Sequence, residues 1–223
     1  ALVTARPLLP TSNRKAPMRN RAIYGAILTL ALVWTAAACG GSRPGGALPS
    51  PGRRLPPEPS TLSAILLEAP AEEAFRRYLG LNREGPFRLD EVAARILLIE
   101  VFSMYCPYCQ QEAPQVNRLF QAIEDDPRLR GRIKLVGIGV GNTAYEVEFF
   151  RQTYGVPFPL FPDSERRAAG QLQVRRTPTF VAFALDDDGS VRQFHHFSGP
   201  LGDVDAFLRR MVTASGLKGL EGP

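Results

Sequence analysis

The chain has 223 residues, of which 44% are hydrophobic, which predicts one domain with appendages, or at most two small domains, and excludes a wholly disordered chain. Three Cys residues are too few for the disulfide scaffold of a small secreted protein. The formal net charge of +5 lies entirely within residues 1–38, which hold five basic and no acidic side chains. The rest of the chain is therefore neutral, and its charge does not favour nucleic-acid binding.

The N-terminal segment has the layout of an export signal. Its basic residues precede the uncharged, apolar stretch 22–38, which ends in three alanines before Cys39. This ending resembles the lipobox of bacterial lipoproteins, in which the Cys is lipidated, although Ala36 stands where Leu is most usual. We expect residues 1–38 to be a signal peptide or anchor and Cys39 to be a candidate lipidation site. An uncleaved anchor and a cleaved signal without lipid remain alternatives.

Residues 39–60 are crowded with Gly, Pro and Ser and lack apolar periodicity, which is typical of a flexible tether. Apolar periodicity begins at Thr61, so residues 61–223 are predicted to form the folded domain. A tether of this kind lets a folded domain stand clear of a membrane.

The folded part alternates strands and helices, which predicts an α/β fold with a central sheet flanked by helices. Arg95–Phe102 is nearly continuous in apolar residues, as expected for a strand buried on both faces. The turn sequence 186–189 predicts a hairpin between the last two strands. The predicted elements, in chain order, are helix Pro70–Leu79, strand Arg95–Phe102, helix Gln110–Asp125, strand Lys134–Val140, a helix capped by Thr143 and Glu146, strands Thr179–Leu185 and Ser190–Ser198, and a helix beginning near Val204.

A Cys-Pro-Tyr-Cys tetrad, 106–109, follows the first strong strand and opens a helix. A structural zinc site would need two further ligands. The third cysteine, Cys39, lies in the export segment, and His195 and His196 are adjacent on a strand, where their side chains point to opposite faces. A dithiol at a helix N-terminus is a redox arrangement, since N–H groups there stabilise a thiolate. We expect neither a metal nor another cofactor.

The stretch ILLIEVFSMYCPYC resembles the active-site strand of the thioredoxin superfamily. Three further positions match that family's pattern: Glu100, where it carries a buried acid, Pro114, where its active-site helix is kinked, and Thr177-Pro178, where it has a cis-proline facing the dithiol. An extra βα unit before Pro178, together with the export segment, resembles the membrane-tethered TlpA/ResA-like thioredoxins of bacterial envelopes. The resemblance implies a thioredoxin-like fold with a βα insertion.

The resemblance also implies the roles of the site residues. Cys106 would be the nucleophile and Cys109 the resolving thiol, the two forming the redox-active disulfide. Glu100, desolvated beneath the dithiol, would have a raised pKa and exchange a proton with Cys109. Pro178 would help present backbone polar groups to an extended substrate chain. Further candidate substrate contacts are Tyr105, Pro107, Tyr108 and Thr177.

The function that these features predict is that of a membrane-anchored thiol–disulfide oxidoreductase of the bacterial envelope. The resemblance implies protein thiols and disulfides as substrates, apocytochrome c among them. It also implies a membrane electron-transfer protein as the redox partner. Arg175 and Arg176, just before the Thr-Pro pair, are either a generic basic surface or a patch that selects acidic partners.

Two alternative functions remain at this point. A copper-binding assembly protein could use the two Cys with His195 or His196, although such proteins normally separate their Cys by three residues rather than two. A peroxiredoxin-type peroxidase would be consistent with Ser103, three residues before Cys106. Against it, Ile99 stands where that family is expected to have Pro.

Overall fold

The computed structural model describes residues 61–220, so the predicted signal, lipidation site and tether lie outside the described residues. Within residues 61–220, no helix is long and apolar enough to cross a membrane. The elements, in chain order, are a 3-10 turn Thr61–Ala64, β1 Leu66–Glu68, α1 Glu73–Leu79, β2 Pro86–Arg88, a 3-10 turn Leu89–Glu91, β3 Ile96–Phe102, α2 Pro107–Asp125, β4 Ile133–Val140, α3 Ala144–Tyr154, β5 Leu160–Asp163, α4 Arg167–Gln171, β6 Thr179–Leu185, β7 Val191–Ser198 and α5 Val204–Ser215.

The five longer strands form one mixed sheet in the order β5-β4-β3-β6-β7. β3 pairs with β4 in parallel and with β6 antiparallel, and β6 and β7 form the predicted antiparallel hairpin. β1 and β2 form a separate antiparallel pair. The arrangement places β3 at the centre of the sheet, so the residues that follow its carboxyl end are held by strands on both sides.

Alternation along β3 divides the core into two layers. Leu97, Ile99 and Val101 belong to the core cluster that includes residues of α1 and α4. The residues of the other parity belong to the cluster built from α2, α3 and α5. Glu100 shares this second parity and is 3% exposed, so the sheet directs one carboxyl group into the layer beneath α2.

Two helix starts differ from the predicted ones. α2 begins at Pro107 rather than Gln110, because Cys106 caps the helix and proline fits its first position. α1 begins at Glu73 rather than Pro70; the guanidinium of Arg76 instead donates to the Pro70 carbonyl at 2.8 Å. The predicted capping box before α3, by contrast, is present. The periodicity located both helices but did not resolve their first turns.

Several short elements carry too little periodicity for sequence analysis to detect. β5 spans four residues and contains Pro162, as suits a short edge strand. α4 spans five residues, and β1 and β2 span three each. These elements cover the edge of β4 and one face of the sheet.

Tyr78 hydrogen-bonds to the part of the β4 edge that β5 leaves unpaired. β5 pairs with β4 only over Gly137–Val140, and the Tyr78 hydroxyl lies beside the unpaired Leu135. This hydroxyl accepts from the Leu135 N–H at 2.7 Å and donates to the Leu135 carbonyl at 3.3 Å. Burial is the main reason that the pKa of Tyr78 is raised, so the hydroxyl stays protonated.

Replacing Tyr78 with Phe should lower the free energy of unfolding by about 1–3 kcal/mol, because the Leu135 backbone groups lose their partner. Urea denaturation measures the change. Tyr145→Phe is the matched control, since that side chain is 77% exposed. Equal stability of the Tyr78 variant and wild type would show that this edge contact contributes nothing.

Candidate active site

The dithiol lies where β3 gives way to α2. Cys106 is the N-cap residue of α2, with extended backbone, and its Sγ accepts the Cys109 N–H at 3.3 Å. Pro107 fills the first position of the helix, where a missing N–H costs no hydrogen bond. Both cysteines are free thiols; Cys106 is partly exposed and Cys109 is completely buried. Substrate therefore has access to one sulfur and not to the other.

The environments of the two thiols move their pKa values in opposite directions. Burial would raise the pKa of Cys106, but hydrogen bonds with the Cys109 and Thr177 side chains and with the Cys109 and Tyr108 backbone outweigh it and lower the pKa below its ordinary value. Burial raises the pKa of Cys109, and its hydrogen bond to Cys106 adds to the effect. The exposed sulfur is thus the one poised to be a thiolate.

A buried acid pair lies in the layer under α2. Burial, together with the charges of Glu112 and Cys106, raises the pKa of Glu100 to about 8. Among residues 61–220, Glu100 Oε1 has no hydrogen-bond partner. Glu112 is also buried, and its Oε1 accepts the Leu201 N–H at 2.8 Å. The predicted burial of Glu100 is confirmed; Glu112 was missed, although it lies three residues after Cys109, on the same helix face.

The Thr177-Pro178 bond is cis, as the sequence resemblance implied. In the thiol form, Cys106 Sγ donates to the Thr177 carbonyl at 3.4 Å. Next to the pair, the Thr179 hydroxyl donates to the Arg176 carbonyl at 2.7 Å. The structure thus brings the predicted residues Thr177 and Cys106 into contact.

Asn142 of the β4–α3 connection and Gln110 of α2 hold the loop between β3 and Cys106. Asn142, which is completely buried, accepts the Met104 N–H at 2.9 Å and donates to Ser103 Oγ at 3.4 Å. Gln110 donates to the Met104 carbonyl at 2.7 Å. No local sequence pattern marks Asn142, because its contact with Met104 joins segments 38 residues apart.

Replacing Asn142 with Ala should destabilise the protein by about 1–3 kcal/mol, since the Met104 N–H loses its acceptor in a closed site. It should also slow alkylation of Cys106 at neutral pH, because the loop that aims Cys106 is released. Asn82→Ala, at an exposed position, is the control. An Asn142 variant with unchanged stability and unchanged alkylation would contradict this role.

The two tyrosines predicted to contact substrate are strongly exposed beside the dithiol: Tyr105 is 66% and Tyr108 is 70% accessible. The Tyr105 hydroxyl hydrogen-bonds to the Glu146 carboxylate, which also belongs to the capping box of α3. The Tyr105 ring is therefore oriented by the protein, and both rings are available to a docked chain.

The histidines and Ser103 have other partners than the dithiol. The His195 ring packs edge-on against Phe207 with centroids 5.6 Å apart, and His196 Nε2 lies 3.2 Å from the Leu172 carbonyl. Residues 61–220 contain no group of three His, Cys, Asp or Glu that could hold a metal ion. Ser103 Oγ accepts from Asn142 and from the Tyr105 N–H. These contacts give no support to the copper-binding and peroxidase alternatives.

A mixed sheet, a CxxC dithiol at the start of the following helix and a cis-proline beside the reactive sulfur together define a thioredoxin-like dithiol protein. A model of the AhpC/TSA family matches residues 69–194, and the chain belongs to this family. The predicted thioredoxin-like fold is thereby confirmed.

Curated relatives carry one activity in their names. Thiol-disulfide oxidoreductase ResA from Geobacillus kaustophilus is 24% identical over 106 residues, covering 48% of this chain and 57% of that protein. The ResA protein of Bacillus subtilis is 22% identical over 103 residues, covering 46% and 54%. The chain thus matches little more than half the length of these relatives.

A solved structure shows the same fold. DsbF from MTB, in its mixed oxidized and reduced forms, superimposes with a TM-score of 0.51 at 17% identity. The match covers 70% of this chain and 98% of DsbF.

Proposed function

We propose that this chain is a thiol–disulfide oxidoreductase whose working pair is Cys106 and Cys109. The observation that carries the proposal is the asymmetry of the pair, with an exposed thiol of lowered pKa next to a buried thiol of raised pKa. Such a pair can attack a substrate disulfide and then resolve the product. The names of the ResA relatives support the same activity.

In the proposed reaction, the Cys106 thiolate attacks one sulfur of a substrate disulfide. A bond forms between Cys106 and that sulfur, the substrate S–S bond breaks, and the leaving sulfur takes a proton from water. Cys109 then loses its proton and attacks Cys106 Sγ, which releases the second substrate thiol. The substrate gains two electrons, and the protein pair becomes a disulfide.

Glu100 acts on the second step by taking the proton from Cys109. Its pKa of about 8 lies close to neutral pH, as a proton-exchanging group requires. Glu100 Oε1 has no hydrogen-bond partner among residues 61–220, so it is free to accept this proton, directly or through water. Pro178, Thr177, Pro107, Tyr105 and Tyr108 form the surface over which the substrate chain lies.

We further propose that the protein works in the bacterial envelope, with residues 1–38 as signal or anchor, Cys39 lipidated and residues 39–60 as tether. The cationic, apolar and small-residue pattern supports this. A membrane electron-transfer protein would re-reduce the pair, and exported proteins such as apocytochrome c would be substrates. Mass spectrometry of the native N-terminus tests the anchor; an unmodified Cys39 within a longer chain would contradict it.

Insulin reduction tests the activity. With dithiothreitol as donor, the wild-type protein should accelerate precipitation of the reduced insulin chains. A precipitation rate no higher than that with dithiothreitol alone would contradict the proposal. Turnover of hydrogen peroxide that survives Cys109→Ser would instead favour the peroxidase alternative.

A further inference from the structure

A cleft of about 290 Å³ borders the reactive cysteine on the side of α4. Its lining includes Ser103 and Thr177, together with the three arginines Arg166, Arg175 and Arg176. Ser103 and Thr177 both contact Cys106. The Cys106 N–H donates to the Ser103 carbonyl at 3.0 Å, and Cys106 Sγ lies 3.4 Å from the Thr177 carbonyl. The cleft therefore shares Ser103 and Thr177 with the surroundings of the reactive cysteine.

The three arginines are exposed, and none forms an ion pair with a carboxylate of residues 61–220. The neighbouring Arg167, outside the cleft, pairs with Glu165. No Asp or Glu lines the cleft. The nearby Asp163 is buried, accepts the Ala168 and Ala169 N–H groups, and forms no ion pair with these arginines.

The backbone holds these guanidinium groups around one space. Arg166 has left-handed backbone, with φ of 59°, just before α4. Its side chain lies against Gly141, where a Cβ atom would come within 3.3 Å of Arg166 Nε. Arg175 and Arg176 come directly before Thr177, so a chain lying along Thr177 passes both of them. Guanidinium groups bind carboxylates through paired hydrogen bonds, which makes such a cluster selective for them.

We infer that this cleft binds carboxylate side chains of an acidic polypeptide segment that flanks the reacting cysteine of the substrate. The inference rests on the proposed function and names its substrate class. An extended chain fits better than a small anion because the arginines come from two segments and line a cleft that also includes Thr177, whose carbonyl contacts Cys106. Three arginines without an ion-pair partner among residues 61–220, in a cleft that includes Thr177, also attract acidic chains during encounter.

Synthetic peptides with one intrachain disulfide, flanked by Glu, Gln or Lys residues, test this inference. The rate at which each peptide oxidises the reduced wild-type protein is measured by acid quenching and alkylation. The Glu-flanked peptide should react at least about tenfold faster than the Lys-flanked one at low ionic strength, and salt should reduce the difference.

The variant Arg166→Gln/Arg175→Gln/Arg176→Gln should lose this preference and react with the Gln-flanked peptide within about twofold of the wild-type rate. Arg209→Gln is the matched control, since this exposed residue of α5 lies outside the cleft lining. The control should keep the full preference for the Glu-flanked peptide.

Three results would overturn the inference. The first is equal wild-type rates for the three peptides, and the second is an equal loss for all three in the triple variant. Glutathione disulfide, tested alongside the peptides, gives the third: arginine dependence confined to it would assign the cleft to a small carboxylate instead of a chain. Failure of every peptide to oxidise Cys106 and Cys109 would count against the proposed function itself, so the two failures are distinguishable.

Discussion

Cys106→Ser should abolish insulin reduction, with a loss of at least about a thousandfold, because no other thiol of residues 61–220 is accessible to a substrate disulfide. Cys109→Ser should also stop turnover, but at a later step. The first exchange still occurs in that variant, and the mixed disulfide persists because the resolving thiol is missing. Non-reducing electrophoresis of the variant after exposure to envelope proteins should therefore show covalent adducts.

The double variant Cys106→Ser/Cys109→Ser is the control for adducts made through any other cysteine.

Iodoacetamide should label Cys106 in the native protein with a pH midpoint below the ordinary thiol value, while Cys109 stays unlabelled until the protein unfolds. Adducts that form through Cys109 and not through Cys106 would reverse the assignment of the two roles.

Glu100→Gln should slow the resolving step by about a hundredfold at pH 8 while leaving the first attack nearly unchanged. Glu100 can accept the Cys109 proton only when it is ionised, so the wild-type resolving rate should rise as the pH passes about 8. The Gln variant lacks this base, and its rate should rise only at higher pH. Rapid quenching followed by alkylation separates the two steps.

Glu100 also gives a prediction for stability. Burial raises its pKa from 4.5 to about 8, so the folded protein holds this proton over a pH range in which the unfolded chain has released it. The free energy of unfolding should therefore fall as the pH rises from about 4.5 to about 8, and Glu100→Gln should remove this fall.

Matched urea titrations of the reduced proteins at pH 5 and pH 8 measure the effect. Glu84→Gln is the control, because that carboxylate is mostly exposed in its ion pair with Arg76. If the free energy of unfolding depends on pH equally in Glu100→Gln and wild type, Glu100 is not a buried, protonated carboxyl group. A resolving rate insensitive to Glu100→Gln would contradict its role as the base.

The part of the site that lies on one strand and one helix could be predicted from the sequence. The strand-to-helix position of the tetrad 106–109 follows from local pattern, and the apolar run around Glu100 predicts its burial. The cis bond before Pro178 came from the family resemblance. Each of these features is encoded by residues close to one another in the sequence or by a recognised motif.

The rest of the site depends on contacts between distant segments. Asn142 reaches Met104 from the β4–α3 connection, and Glu112 reaches the Leu201 backbone across 89 residues. Arg166 lines the cleft and itself has left-handed backbone, just before α4. That helix has five residues and too little periodicity to be predicted. Local patterns cannot reveal such partners, because they are set by the packing of α2, α4 and β4 around β3.

Redox titration tests directly whether Cys106 and Cys109 form a reversible dithiol–disulfide pair. The protein is equilibrated with mixtures of reduced and oxidised dithiothreitol or glutathione. The free thiols are then alkylated, and mass spectrometry measures the fraction of protein that carries the alkyl groups. We expect a reversible two-electron transition between dithiol and intramolecular disulfide, at about −270 to −180 mV for a reductant or an enzyme of moderate potential. A potential near about −120 mV would contradict the reductant assignment, and a pair that forms no reversible disulfide would contradict the claim itself.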